Sequence, residues 1–148
     1  MEDIKFPEGI ESPALHTHLT LLQGVINRMA KNSALCKAFG ITLASVVAAV
    51  AASGSNPDAV WTALVPILIF AFLDVVCISL ERGFREKYNN DVGRFYEGTL
   101  KTGDLFRISP PDNYRTLPAL REAAKSWAIW GIYPPVLVLL ILVRLMLG

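Results

Sequence analysis

Asp74 is the residue in this chain best placed to do chemistry. It is the single charged side chain across three long apolar stretches, residues 38–53, 59–80 and 126–143. A carboxylate at membrane depth is costly unless it is hydrated or paired, and such acids mark ion paths, proton relays or packing ties. Two chemistries are open to it. It can line an aqueous path, where its charge sets ion preference, or it can tie spans together through Lys37 or a tryptophan N–H. Glu81, Arg85 and Tyr88 follow at spacings of 7, 4 and 3, which keeps all four on one helical stripe. That stripe reads as a polar track down an oligomer axis or as a solvated helix face.

Enzymatic chemistry has little support. His16 and His18 are two residues apart, so on a helix they point to different faces, and neither has a Cys or carboxylate at metal-ligand spacing. There is no Gly-rich phosphate loop, nucleophile–base arrangement or pair of carboxylates at a plausible cleft. Cys36 and Cys77 fall near one side of the membrane, where a disulfide is not expected. The nine Lys/Arg of residues 81–125 are balanced by seven acids and form no basic stripe, which argues against nucleic acid. The expectation is a protein with no cofactor, no metal and no catalytic residue.

The elements that must position Asp74 follow from hydropathy and charge. Hydrophobic residues make up 53% of the chain and its mean hydropathy is +0.42, high for a soluble domain. About 20 apolar residues match a hydrocarbon core of about 30 Å. Nine of fourteen Lys/Arg lie between the second and third stretches, four precede the first, and one, Arg144, follows the third. Because Lys and Arg accumulate in cytoplasmic loops, the chain is expected to cross three times with its N-terminus inside and its C-terminus outside. The expected division is an acidic leader at 1–12, an amphipathic helix at 13–33, span one at 38–53, span two at 59–80, a helical cytoplasmic segment at 81–125 and span three at 126–147. The fold class is therefore an all-α membrane protein with three transmembrane helices.

Finer patterns refine these elements. Leu15, Leu19, Leu22, Ile26 and Met29 form an apolar stripe opposite His18, Gln23, Asn27, Arg28, Lys31 and Asn32. The stripe packs on the cytoplasmic segment, lies in the membrane interface or seals an oligomer. Gly40, Ala44, Ala48 and Ala52 are each four apart, and such small-residue ladders let helix backbones approach closely. Whether their partner belongs to this chain or to another copy is open. Pro66 and Pro134-Pro135 are expected to bend spans two and three. Trp61 suits the outer interface; Phe39, Trp127 and Trp130 suit the inner one. Span two is expected to continue as a helix into the cytoplasm through Phe84, Tyr88, Val92 and Phe95.

The motif Asn27-Arg28-Met29-Ala30-x-Asn32-Ser33-x-x-Cys36-Lys37 resembles the opening of a group of small uncharacterised bacterial membrane proteins. The resemblance continues through Leu73-Asp74, Glu81-Arg82-x-Phe84-Arg85-x-x-Tyr88, Lys125-Ser126-Trp127 and Pro134. It implies a three-span protein of the bacterial inner membrane, and some members lie near anti-phage defence genes, where small membrane proteins act by permeabilising the membrane. It also directs attention to Asn27, Arg28, Asn32, Asp74, Glu81, Arg82, Arg85 and Tyr88. Two functions are carried forward. One is an oligomeric effector or channel-like protein that responds to a cytoplasmic protein or small-molecule signal. The other is a non-conducting anchor that docks a cytoplasmic partner. Membrane lipid and further copies of the chain are the other expected partners.

Overall fold

The computed structural model describes residues 12–54, 57–110, 114 and 116–147. The acidic leader expected at 1–12, Ser12 apart, lies outside the described residues. The rest is helical, with no strand among the described residues. Helix α1 covers Ser12–Ala52, a 3-10 helix follows at Pro57–Ala63, and α2 covers Leu64–Tyr96. A short 3-10 turn at Thr102–Asp104 leads to α3 (Leu117–Ala124), α4 (Trp127–Trp130) and α5 (Tyr133–Leu147). Three helical stretches are long and apolar enough to cross a membrane: Pro13–Ala52, Asp58–Tyr96 and Trp127–Leu147. The fold is that of a multi-pass, all-α membrane protein.

The helix expected at 13–33 and the span expected at 38–53 are one continuous helix. Residues 34–37, Ala-Leu-Cys-Lys, contain no Gly, Pro or capping residue that would end it. At 1.5 Å per residue, the 41 residues of α1 measure roughly 60 Å, about twice a hydrocarbon core. Helix α2 behaves in the same way: its last sixteen residues, from Glu81, continue about 24 Å beyond the apolar stretch. The two long helices therefore form a two-storey pair, apolar in one half and polar in the other.

The prolines expected to bend spans two and three stand just past changes in the helices. Pro66 falls in the first turn of α2, and Pro134-Pro135 in the first turn of α5. The first amides of a helix have no intrahelical acceptor, so proline removes nothing there. The third span is interrupted just ahead of the proline pair, at Gly131-Ile132 between α4 and α5. Trp61, Phe39, Trp127 and Trp130 are all exposed, as interface aromatics must be.

In the apolar storey, Ala44 and Ala48 of α1 pack with Val60, Ala63 and Ile67, and with Tyr133 and Leu140 of α5. The small-residue ladder thus has a partner within its own chain. A Cβ added at Gly40 would lie 3.0 Å from the Phe70 Cβ, so α1 and α2 cross here at nearly backbone distance. At the far end, Arg144 donates to Asp58 at 2.8 Å, joining the end of α5 to the 3-10 helix before α2. In the polar storey, Leu22 and Ile26 bury against Phe84, and Leu15 against Leu100 and Leu105. Of the three roles open to the α1 stripe, the structure shows packing on the extramembrane segment.

Candidate functional site

Asp74 is fully buried where all three spans meet. Its neighbours arrive by helical spacing. Ser33 and Lys37 are four apart on α1, which places both on the face toward α2, while Tyr133 opens α5. The Lys37 ammonium lies 2.6 Å from one carboxylate oxygen, and the Tyr133 hydroxyl donates to the same oxygen at 3.2 Å. The Ser33 hydroxyl donates to the other oxygen at 2.5 Å and accepts from Lys37 Nζ at 2.8 Å. Tyr133 also reaches the Phe70 carbonyl at 3.3 Å. Both carboxylate oxygens are engaged, and among the described residues no buried side-chain nitrogen or oxygen lacks a hydrogen-bond partner. A buried charge held this way is satisfied. Cys36 and Cys77, both free thiols, lie beside the knot within hydrogen-bonding reach of each other.

The remaining motif residues do not converge on Asp74. They lie one storey away, where an open polar cleft of about 430 Å³ separates the extensions of α1 and α2. Gln23, Ile26 and Asn27 line it from α1; Arg85, Tyr88 and Asn89 line it from α2. Gln23 donates to the Tyr88 hydroxyl across the cleft at 3.3 Å. Arg85 is held by Glu81, one turn back, at 2.8 and 2.9 Å, so its charge enters the cleft largely balanced. Arg28 is exposed and Asn32 half-buried, and neither lines the cleft. Arg82 points elsewhere, donating to the Glu122 carbonyl at 2.9 Å and so docking α3. The proposed track Asp74–Glu81–Arg85–Tyr88 is thus split: its first member is sealed in the knot, Arg85 and Tyr88 line the cleft, and Glu81 stands behind Arg85.

Two contacts that the sequence did not single out hold the polar storey together. His18, expected on the solvated face, is fully buried. Its Nε2 lies 3.0 Å from Asp91, and its Nδ1 accepts the Phe106 backbone N–H at 3.0 Å. The accepted N–H places the imidazole proton on Nε2, pointing at the carboxylate. Lys87 reaches the same Asp91 oxygen at 3.0 Å. His18 is three residues after Leu15 and four before Leu22, so helical spacing puts it on the apolar stripe, a signal outweighed by its polarity. The second contact is a strap. The Tyr114 ring lies over Gly83, where an added Cβ would come within 2.5 Å of it. Ser79 donates to the Tyr114 carbonyl at 2.8 Å, and the Tyr114 hydroxyl donates to Glu86. Burial, with the Glu86 carboxylate beside it, pushes the Tyr114 hydroxyl up to about 12.

Among the described residues no three of His, Cys, Asp and Glu are grouped to hold a metal ion. The Asp74 knot joins spans, and the cleft offers amides and a phenol for hydrogen bonding. No protein-family model, curated protein or solved structure matches the chain.

Proposed function

We propose that the chain is an oligomeric effector or channel-like protein of the bacterial inner membrane. In this reading the N-terminus and the polar storey are cytoplasmic, the C-terminus is outside, and the polar storey receives a signal molecule or protein partner. One observation carries it. An apolar crevice of about 270 Å³ opens between α1 and α5, walled by Ala44, Ser45, Ala48 and Ala49 against Leu139 and Val143. Ser45 and Ala49 are exposed, so the small-residue surface continues past its intrachain partner. Small-walled crevices are where transmembrane helices of neighbouring copies approach closely. Three spans cannot enclose a pore alone, so any conduit would lie between copies. The sequence resemblance suggests permeabilisation in anti-phage defence as the purpose.

The sealed state of Asp74 favours a second reading, a non-conducting anchor whose polar storey docks a partner. Its carboxylate is closed off by Ser33, Lys37 and Tyr133, which argues against a conduction path through it. Leakage of a membrane-impermeant dye from expressing cells separates the two. Leakage that needs the crevice residues supports the effector. An intact membrane under every condition that assembles the oligomer supports the anchor. Reporter fusions at both termini test the orientation: a cytoplasmic C-terminus would contradict it.

A further inference from the structure

We propose that a basic hollow on the polar storey, formed by Lys87, Arg94 and Arg107 with Asn90 and Ser109, binds a small phosphoryl-bearing anion. The hollow has a volume of about 320 Å³ and lies apart from both the Asp74 knot and the Gln23–Tyr88 cleft. Its size falls at the lower end of small-molecule sites.

Two segments of chain converge on it. Residues 87, 90 and 94 are successive positions on one face of α2, and Arg107 and Ser109 arrive on the segment after the Thr102–Asp104 turn. That segment is held in place by an unusual backbone. Phe106, directly before Arg107, has φ +65°, a conformation that residues other than glycine rarely adopt. Its amide is clamped by His18. Such outliers persist where surrounding structure enforces them, and they concentrate at functional sites.

The charge balance favours an anion. Among the lining residues three cations face one acid, Asp91. Counting Asp104, which lies 2.6 Å from Arg94, one positive charge remains in excess. The two acids also serve as backing. Buried Asp91 takes one donor of Lys87, and Asp104 takes one nitrogen of Arg94, leaving further N–H groups on both cations. Arg107 is exposed and forms no ion pair within 4.0 Å among the described residues; Asp104 feels its charge only at longer range, so its guanidinium can turn N–H groups toward phosphate oxygens. Asn90 and Ser109 add neutral hydrogen-bonding groups. Because Lys87 shares Asp91 with His18, an anion that drew Lys87 away would leave that carboxylate to the imidazole, whose other nitrogen holds the Phe106 amide.

As a receptor for the cytoplasmic signal, the hollow rests on the function proposed above; as a binding site it does not. The test uses the full chain in neutral detergent, titrated with inorganic pyrophosphate at constant ionic strength and followed by calorimetry. Saturable binding is expected, weakened about ten-fold or more by Arg107→Gln, as loss of a charge-assisted bidentate pair predicts. Arg107→Lys should recover part of it. Arg121→Gln, an exposed cation on α3 outside the hollow, should bind normally. Unchanged thermal stability of Arg107→Gln shows that folding is not the cause. Repeating the titration in phosphatidylcholine nanodiscs with and without phosphatidylglycerol identifies the source. Competition by the anionic lipid that disappears in Arg107→Gln assigns the site to headgroups, and undisturbed binding assigns it to a soluble phosphorylated molecule. Absence of saturable binding, or equal affinity in Arg107→Gln and the native chain, overturns the proposal. Pyrophosphate binding with no effect on leakage counts against the effector reading and leaves the site standing.

Discussion

Removing the Asp74 carboxylate should be among the most damaging single changes in the membrane half. In Asp74→Leu the Lys37 ammonium, with 18% of its side chain exposed, loses its counter-ion while remaining mostly covered. Breaking a buried pair from one side costs on the order of 3–5 kcal/mol. Asp74→Asn keeps one acceptor oxygen, for Ser33 or Tyr133 but not for both, and loses the charge; it should cost about 1–3 kcal/mol. Lys37→Met strands the carboxylate and should resemble Asp74→Leu. The double variant Asp74→Leu/Lys37→Met removes both charges. Tyr133 still has the Phe70 carbonyl, and Ser33 can turn to the carbonyl one turn back in its own helix. The double variant should therefore be less destabilised than the sum of its parents, by about 2 kcal/mol or more. Hydrogen bonds between membrane helices average only about 0.6 kcal/mol, so a coupling of that size would identify a charge pair. The assay is reversible unfolding of the full chain in mixed micelles by increasing fractions of ionic detergent. Single variants within about 0.5 kcal/mol of native, or additive losses, would refute the argument that charge neutralisation holds the three spans together.

Gly40→Leu must push against Phe70, which a Cβ would already approach to 3.0 Å, and should cost about 1–3 kcal/mol in the same unfolding assay. Gly83→Ala drives a methyl into the Tyr114 ring. A comparable loss is expected, relieved when Tyr114 is also replaced by Ala, and absence of relief would mean the strap is not seated as described. His18→Leu abandons both Asp91 and the Phe106 amide, so limited proteolysis within residues 99–110 should accelerate while the spans stay intact. Tyr114 is raised from its ordinary 10 to about 12 in the folded chain. A raised group stabilises below its ordinary value and loses that contribution as pH climbs to the folded value. Stability should thus fall between about pH 10 and 12, and fall less in Tyr114→Phe.

The spans were legible because burial in lipid needs long apolar runs and little else. Asp74 stood out for the same reason: one charge in an apolar run needs a partner or water to hold it there. Lys37 was nameable as its partner, since both lie near the same end of their spans. Ser33 and Tyr133 were not singled out as partners, although Ser33 sits one turn from Lys37 on the same face. Which helices meet at Asp74 is a tertiary fact, and hydropathy carries no information on it. The separation of 13–33 from 38–53 came from reading a change of composition as a change of element, where the backbone sees only helix formers. The prolines marked where the spans are irregular, but not the form this takes, a 3-10 turn at Pro57–Ala63 ahead of Pro66 and the short α4 ahead of Pro134. The basic hollow was invisible: Lys87 and Arg107 are brought together only by the loop that His18 pins, and in the sequence their charges cancel against neighbouring acids.

The number of copies that assemble in a lipid bilayer tests the proposed function most directly. The full chain, extracted into lipid nanodiscs and weighed as an intact particle, should contain more than one copy. Ala49→Leu and Ser45→Leu, substitutions at exposed positions of the α1–α5 crevice, should fill it and shift the particles to single copies while the folded chain keeps its stability. Native particles holding one copy at every protein-to-lipid ratio would contradict an oligomeric effector, because three spans alone leave nothing for an ion to cross.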